Sequence, residues 1–162
     1  MHRVKKNKLE HMKRILLLPA LFLLSIVCLG QSGAGYDEAL AKRLGGTNGM
    51  KKYVVAFLKA GPTRPKDSTL RAQLQAAHMK NIQRMADEGN LVVAGPFLDG
   101  TALKGIYIFN VESVEEAKKL TETDPAIQAG SLEMELHPWY GSAALQEVPT
   151  IHKSIVKPAA NH

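Results

Sequence analysis

The chain is 162 residues long, 22% charged, with a formal net charge of +6 from 21 basic and 15 acidic side chains. That surplus is local: Arg3, Lys5, Lys6, Lys8, Lys13 and Arg14 face only Glu10 in the first 30 residues, and the remainder holds 15 basic against 14 acidic side chains, so the high pI is no argument for a nucleic-acid or anionic-lipid partner. Cys28 is the only cysteine, which excludes disulfides, cysteine-ligated metals and a thiol nucleophile from residues 31–162.

Residues 1–30 read as a secretory signal peptide: a basic start, the apolar run 15-ILLLPALFLLSIV-27 and a small-x-small site ending at Gly30. The run is short for a spanning helix, which needs about 20 residues. The expectation is therefore export to a periplasmic or extracellular location, with no membrane association after cleavage. Met12-Lys13-Arg14 offers a second, more ordinary signal start, and a lipoprotein reading of Cys28 is opposed by Val27 and Ser25 at the positions a lipobox uses. The remaining length, about 130 residues, suits one domain.

Residues 31–50 are rich in Gly and small side chains and read as a leader lying on the surface or partly disordered, with a short helix over 37-DEALAKRL-44. The domain spans 51–140. It opens with the strand 52-KYVVAFLK-59, stopped by Gly61-Pro62 and Arg64-Pro65. Asp67 or Ser68 caps a long helix to about Glu88, ended by Gly89, in which Leu70, Leu74, Ala77, Ile82 and Met85 recur at helical spacing. The strand 91-LVVAG-95 and a turn-rich loop through Pro96, Asp99 and Gly100 follow.

The strand 105-GIYIFNV-111 is apolar on both faces over most of its length, so both faces are expected to be covered. Ser113 and Glu116 form a capping box for a second helix to about Thr121. Asp124-Pro125 opens a short helical turn closed by Gly130. The last strand, 132-LEMELHPW-139, sets Leu132, Met134 and Leu136 against Glu133, Glu135 and His137 and has one wet face. Residues 141–162 lack periodicity and read as a surface or fraying tail.

The order β-α-β-β-α-β predicts an α+β, ferredoxin-like fold with a four-stranded antiparallel sheet and both long helices on one face. Tyr53, Val55, Phe57, Tyr107 and Phe109 are candidates to line one face of that sheet. A bare apolar sheet face is a large exposed patch of the kind monomers avoid, so a homodimer, sheet against sheet, is expected.

From Lys51 to Tyr140 the chain resembles the YciI-like (YCII-related) family of dimeric α/β-barrel proteins. The resemblance rests on 76-AAHMKNIQRMADEGNLVVAGPF-97, on 113-SVEEAKKLTETDPAIQAG-130 and on the closing His137-Pro138-Trp139. It implies a ferredoxin-like dimer with a site built from a helix His and the Asp of a DP pair, here His78 and Asp124. It also implies a fold like that of small isomerases and lyases such as muconolactone isomerase, which is analogy at the level of fold. The signal peptide, the 31–50 leader, the tail and a short loop after Gly95-Pro96 depart from the shorter cytosolic members.

Read from the residues alone, His78 lies on one stripe with Leu74, Ile82 and Met85, so it points inward, either as a core histidine or as a site residue. Asp124 is an N-cap whatever else it does, and a carboxylate beside His78 is the usual arrangement for acid–base work near neutral pH. Gly95 and Pro96 shape a strand exit and are candidates for a pocket rim. Arg71, on the His78 side of its helix, is a candidate for holding an anionic substrate, and Arg84 reads as a solvated helix side. No dependable metal-ligand spacing occurs, nor any GxGxxG, P-loop, GxSxG or HExxH motif, so no cofactor or metal is expected. The expected function is isomerase- or lyase-type acid–base chemistry on a small polar organic molecule. The alternatives are a non-catalytic ligand-binding or accessory domain, and a structural dimer in which the His–Asp pair staples two helices.

Overall fold

The run 53-YVVAFL-58 joins β-branched to aromatic residues, which fit a pleated surface best, and it forms the middle of the strand Met50–Ala60. The computed structural model describes residues 35–157, so the signal peptide expected over 1–30 lies outside the described residues. Their elements are α1 (Glu38–Leu44), β1 (Met50–Ala60), α2 (Ser68–Asp87), β2 (Leu91–Pro96), β3 (Leu103–Phe109), α3 (Val114–Thr121), α4 (Pro125–Gln128), β4 (Leu132–Ser142), a 3-10 turn (Ala143–Glu147) and α5 (Val148–Ile155). The sheet order is β2-β3-β1-β4, and every neighbouring pair is antiparallel. This is the four-stranded α+β, ferredoxin-like arrangement.

Directly opposed residues of paired strands share a face. On the helix side, Val54 faces Phe109, Ala56 faces both Tyr107 and Leu136, and Leu58 faces Met134. With Met85 of α2 and Ala117 of α3 they build the main core. The register thus corrects the expected grouping of aromatics. Tyr107 and Phe109 lie on the helix side, while Tyr53, Val55 and Phe57 lie on the other with Ile106 and Ile108. Alternation within each strand was readable, but only the pairing between strands decides which sets coincide. On the outer side Tyr53 is fully buried, against Trp139 (ring centroids 5.9 Å apart), under the Lys51 ammonium and with its hydroxyl donating to the Ser142 carbonyl at 3.0 Å. Burial pushes its phenol up. Phe57, Ile106 and Ile108 remain half-buried there.

Both ends of the domain lie at the surface and are tied down there. The stretch before β1 forms the expected short helix, α1, and is mostly exposed, but Leu44 is buried, its carbonyl accepts from Gln146 Nε2 at 2.6 Å, and Arg43 pairs with Glu147 at 2.7 Å. The tail forms the 3-10 turn and α5, held to α2 by Lys153 and Asp87 at 2.8 Å. These contacts join residues about seventy to about a hundred apart in sequence, and local periodicity carries no trace of such partners. Glycine matters at a close approach where the chain leaves β1, since a Cβ on Gly61 would run into the Gly130 carbonyl oxygen at the end of α4.

The helices start where capping chemistry places them. Asp67 accepts from the Leu70 N–H at 2.9 Å, and Gly89, at φ +76°, ends the run of α2 in a conformation that favours glycine. At α3, Ser113 Oγ accepts from the Glu116 N–H while the Glu116 carboxylate accepts from the Ser113 hydroxyl and N–H. These bonds, the hydroxyl's first, hold the Glu116 carboxyl below its ordinary value of 4.5. Replacing Ser113 by Ala is expected to cost about 1 kcal/mol in urea denaturation. Because the folded value is depressed, the contribution of Glu116 is complete above its unfolded value and is lost as pH falls through the folded one. The stability gap between the unaltered protein and Glu116→Gln should therefore be open at pH 7 and close in acid, which denaturation curves over a pH series will read.

Candidate functional site

In α2, positions three and four apart turn Leu74, His78, Asn81 and Met85 toward the sheet, and His78, Asn81 and Met85 are buried. Asp124 reaches the same place from the other helix. The chain leaves α3 through Glu122 and Thr123, the Asp124 N–H returns to the Thr121 carbonyl at 3.0 Å, and Pro125 starts α4. As N-cap, Asp124 accepts the Ala126 N–H on Oδ1 at 2.9 Å. Its other oxygen, Oδ2, lies 2.7 Å from His78 Nδ1. The third member comes from the sheet: Tyr107 Oη lies 3.2 Å from His78 Nε2, with its ring stacked at 20° to the imidazole.

This geometry assigns the protons. A carboxylate accepts only, so Nδ1 carries the hydrogen donated to Asp124. In the neutral imidazole Nε2 is then the acceptor, and the Tyr107 hydroxyl donates to it. The phenol of Tyr107 is pushed far above its ordinary value, by burial first and by the Asp124 charge second, so it stays a donor. Exposure is graded along the chain of bonds: Asp124 0%, Tyr107 2%, His78 7%. Among the described residues no buried side-chain nitrogen or oxygen lacks a partner.

A polar clamp flanks the pair. Arg84 Nη2 donates to Asn81 Oδ1 at 2.9 Å and to Thr123 Oγ1 at 2.8 Å, and its Nη1 grips the Glu88 carboxylate. Arg84 therefore ties α2 to the residue before Asp124, a role hidden while it read as a solvated helix side. Asn81 had a signal, since it is three residues from His78 on the same stripe. Tyr107 had none, because a strand apolar on both faces does not say which face meets α2.

The other candidates make contacts of their own. Arg71 is exposed, and its guanidinium turns back to the Pro65 and Lys66 carbonyls at 3.1 and 2.5 Å. Seven residues of helix put it about 10 Å along the axis from His78. Gly95 and Pro96 close the edge strand β2 opposite Ile106 and Gly105, beyond Ala94, which faces Tyr107. A Cβ on Gly105 would meet the Gly95 carbonyl oxygen at 2.7 Å, so this strand end is shaped by close backbone approach. Cavities of about 500, 360 and 340 Å³ lie elsewhere on the surface, and none of the three is lined by His78, Tyr107 or Asp124. Among the described residues no three His, Cys, Asp or Glu side chains converge as metal ligands do, and no helix is long and apolar enough to cross a membrane.

Comparison with known proteins adds three findings. A family model for the YCII-related domain matches residues 54–140. The uncharacterized protein YjpA of Bacillus subtilis (strain 168) is 34% identical over 64 residues, which span 40% of this chain and 73% of YjpA. The solved structure of 5-chloro-2-hydroxyhydroquinone dehydrochlorinase from Burkholderia phenoliruptrix AC1100, in complex with 2,5-dihydroxybenzoquinone, is similar over 55% of this chain and 93% of that one, at 22% identity and a TM-score of 0.41.

The two roles of Asp124 separate by substitution. Asp124→Asn keeps an oxygen to cap α4 and is expected to cost about 1.5–3 kcal/mol, the range for a hydrogen bond to a charged group. Asp124→Ala loses the cap as well and should cost about 1 kcal/mol more. Urea denaturation of both variants measures the difference, and coincident midpoints would show that the cap contributes nothing of its own.

Proposed function

Since the chain belongs to the YCII-related domain family, we propose that it is an exported member that works as a homodimer and carries out acid–base chemistry, of isomerase or lyase type, on a small polar organic molecule. The observation that carries this reading is the 2.7 Å contact between His78 Nδ1 and Asp124 Oδ2. A carboxylate so placed sets the imidazole tautomer and leaves Nε2 to take up and return a proton, as general acid–base catalysis requires. Of the three linked residues His78 keeps the most exposed surface, so it is the one that a substrate reaches. Tyr107, donating to Nε2, holds that nitrogen in register and supplies a hydroxyl through which a proton passes. The dimer is supported by the outer face of the sheet, where Phe57, Ile106 and Ile108 form a half-buried apolar stripe beside the paired charges of Lys59 and Glu135.

A second reading has its own observation. Asp124 at 0% and Tyr107 at 2% exposure are what a structural staple between α2, α4 and β3 needs, and a binding or accessory domain would retain the same bonds.

One residue separates the readings. An Asn side chain at position 78 keeps an N–H donor near the place of Nδ1 but cannot titrate. Thermal-shift screening of the purified protein against a metabolite library finds the ligands, and proton NMR of each mixture finds turnover. For catalysis, His78→Asn should lower turnover about 10²–10⁴-fold while circular dichroism shows the fold kept, with a melting temperature lowered only by what the loss of the Tyr107 hydroxyl's acceptor costs, about 1–3 kcal/mol. For a staple, no compound is turned over and His78→Ala costs about 3–5 kcal/mol, the loss expected when one partner of a buried pair is removed.

A further inference from the structure

The cavity of about 500 Å³ shares none of the three bonded residues of the His78 site and lies between the family domain and the segment that follows it. One wall is α5, another is the Ile82–Ala86 flank of α2, and the third is β2. Leu91, Val92, Val93 and Ala94 all line it. The register shifts between Leu91 and Val93, and past that irregularity side chains alternate, so a run of consecutive lining residues fits a strand that presents its edge. β2 is the outermost strand of the sheet, and among the described residues no strand pairs with it on that side. The cavity therefore combines apolar side chains with a few main-chain polar groups, in the size range of small-molecule sites.

Two further observations define what suits it. First, α5 buries none of its residues, yet Val148 at its start and Val156 just past its end, 37% and 52% exposed, border the cavity. A helix with an apolar side held over a groove without burying it leaves surface for an apolar body to cover. Second, the charge is of one sign. His152, Lys153 and Lys157 stand at the α5 side, and among the described residues no Asp or Glu lines the cavity. Asp87, just outside, is engaged by Lys153, which leaves Lys157 and His152 to face an incoming anion.

We propose that this groove binds a single amphiphile with an anionic head, a medium-chain carboxylate, its chain against Ile82, Val92 and Val156 and its head toward Lys157 and His152. The proposal stands independently of the reading of His78.

Titration calorimetry of the purified protein with octanoate, decanoate and 1-decanol, all below their aggregation concentrations, tests it. The expected result is one saturable site, with affinity rising up to about fourfold for each methylene added between octanoate and decanoate. Lys157→Glu should weaken decanoate about tenfold and leave 1-decanol within about twofold, since only the charged head meets that position. Val156→Glu, which sets a charge in the groove wall, should weaken both. Both positions are exposed, so the fold should survive, as circular dichroism will check. Absence of saturable decanoate binding would overturn the proposal, as would decanoate affinity indifferent to both substitutions. Binding to phosphatidylglycerol vesicles without binding to monomeric decanoate would also overturn it, because it would mark a membrane-facing surface in place of a discrete groove.

Discussion

A carboxylate shut away from water must be given partners by the protein around it, and the burial of Asp124 organises this molecule's interior. One oxygen takes the N–H that starts α4, and the other takes the imidazole of α2. The imidazole's far nitrogen then takes the hydroxyl of a sheet tyrosine. One buried charge thus links the long helix, the end of the second helix and the sheet. The Asn81–Arg84–Thr123 clamp closes the same seam nearer the surface. Such a network is costly to leave half-made, so the placement of each helix constrains the other.

The sheet divides the molecule into two environments. Its helix side is a conventional core of Val54, Ala56, Leu58, Phe109 and Met85, interrupted by the polar line from Tyr107 to Asp124. Its outer side is apolar in the middle and charged toward one end, where Lys59 and Glu135 pair and Glu135 also meets His137. The segments at either end of the family domain, α1 with the 3-10 turn and α5 at the β2 edge, pack as additions to the same sheet. An edge strand is where an addition is most easily made, because its outward main-chain groups still seek contacts.

Much of this was legible before any coordinates. The capping box at Ser113 and Glu116, the Asp-Pro start of α4, the glycine after α2 and the wet face of β4 are local signals with local causes. They stand where capping and alternation put them. The inward turn of His78 was likewise a matter of helical spacing. Arg71 shows the limit of that reasoning: it shares a side of the helix with His78, yet its long side chain folds back onto the Pro65 and Lys66 carbonyls, because nearby acceptors outcompete distant ones. The ties that hold the leader and tail were hidden for a related reason. Their partners are each other and α2, about a hundred and about seventy residues away, and no window of sequence contains both.

By itself the sequence determined the elements up to β4, their order and the directions of the residues within each, because hydrogen-bond periodicity and caps act over three or four residues. The tertiary structure alone decided three other things. Strand register put Tyr107 under His78 and away from Phe57. Helix packing brought Asp124 within 2.7 Å of an imidazole 46 residues earlier. The path of the tail set α5 beside a bare strand edge and so made a groove. Each of these is a meeting of distant segments, and it is settled by which whole arrangement buries its apolar surface while leaving no buried polar group alone.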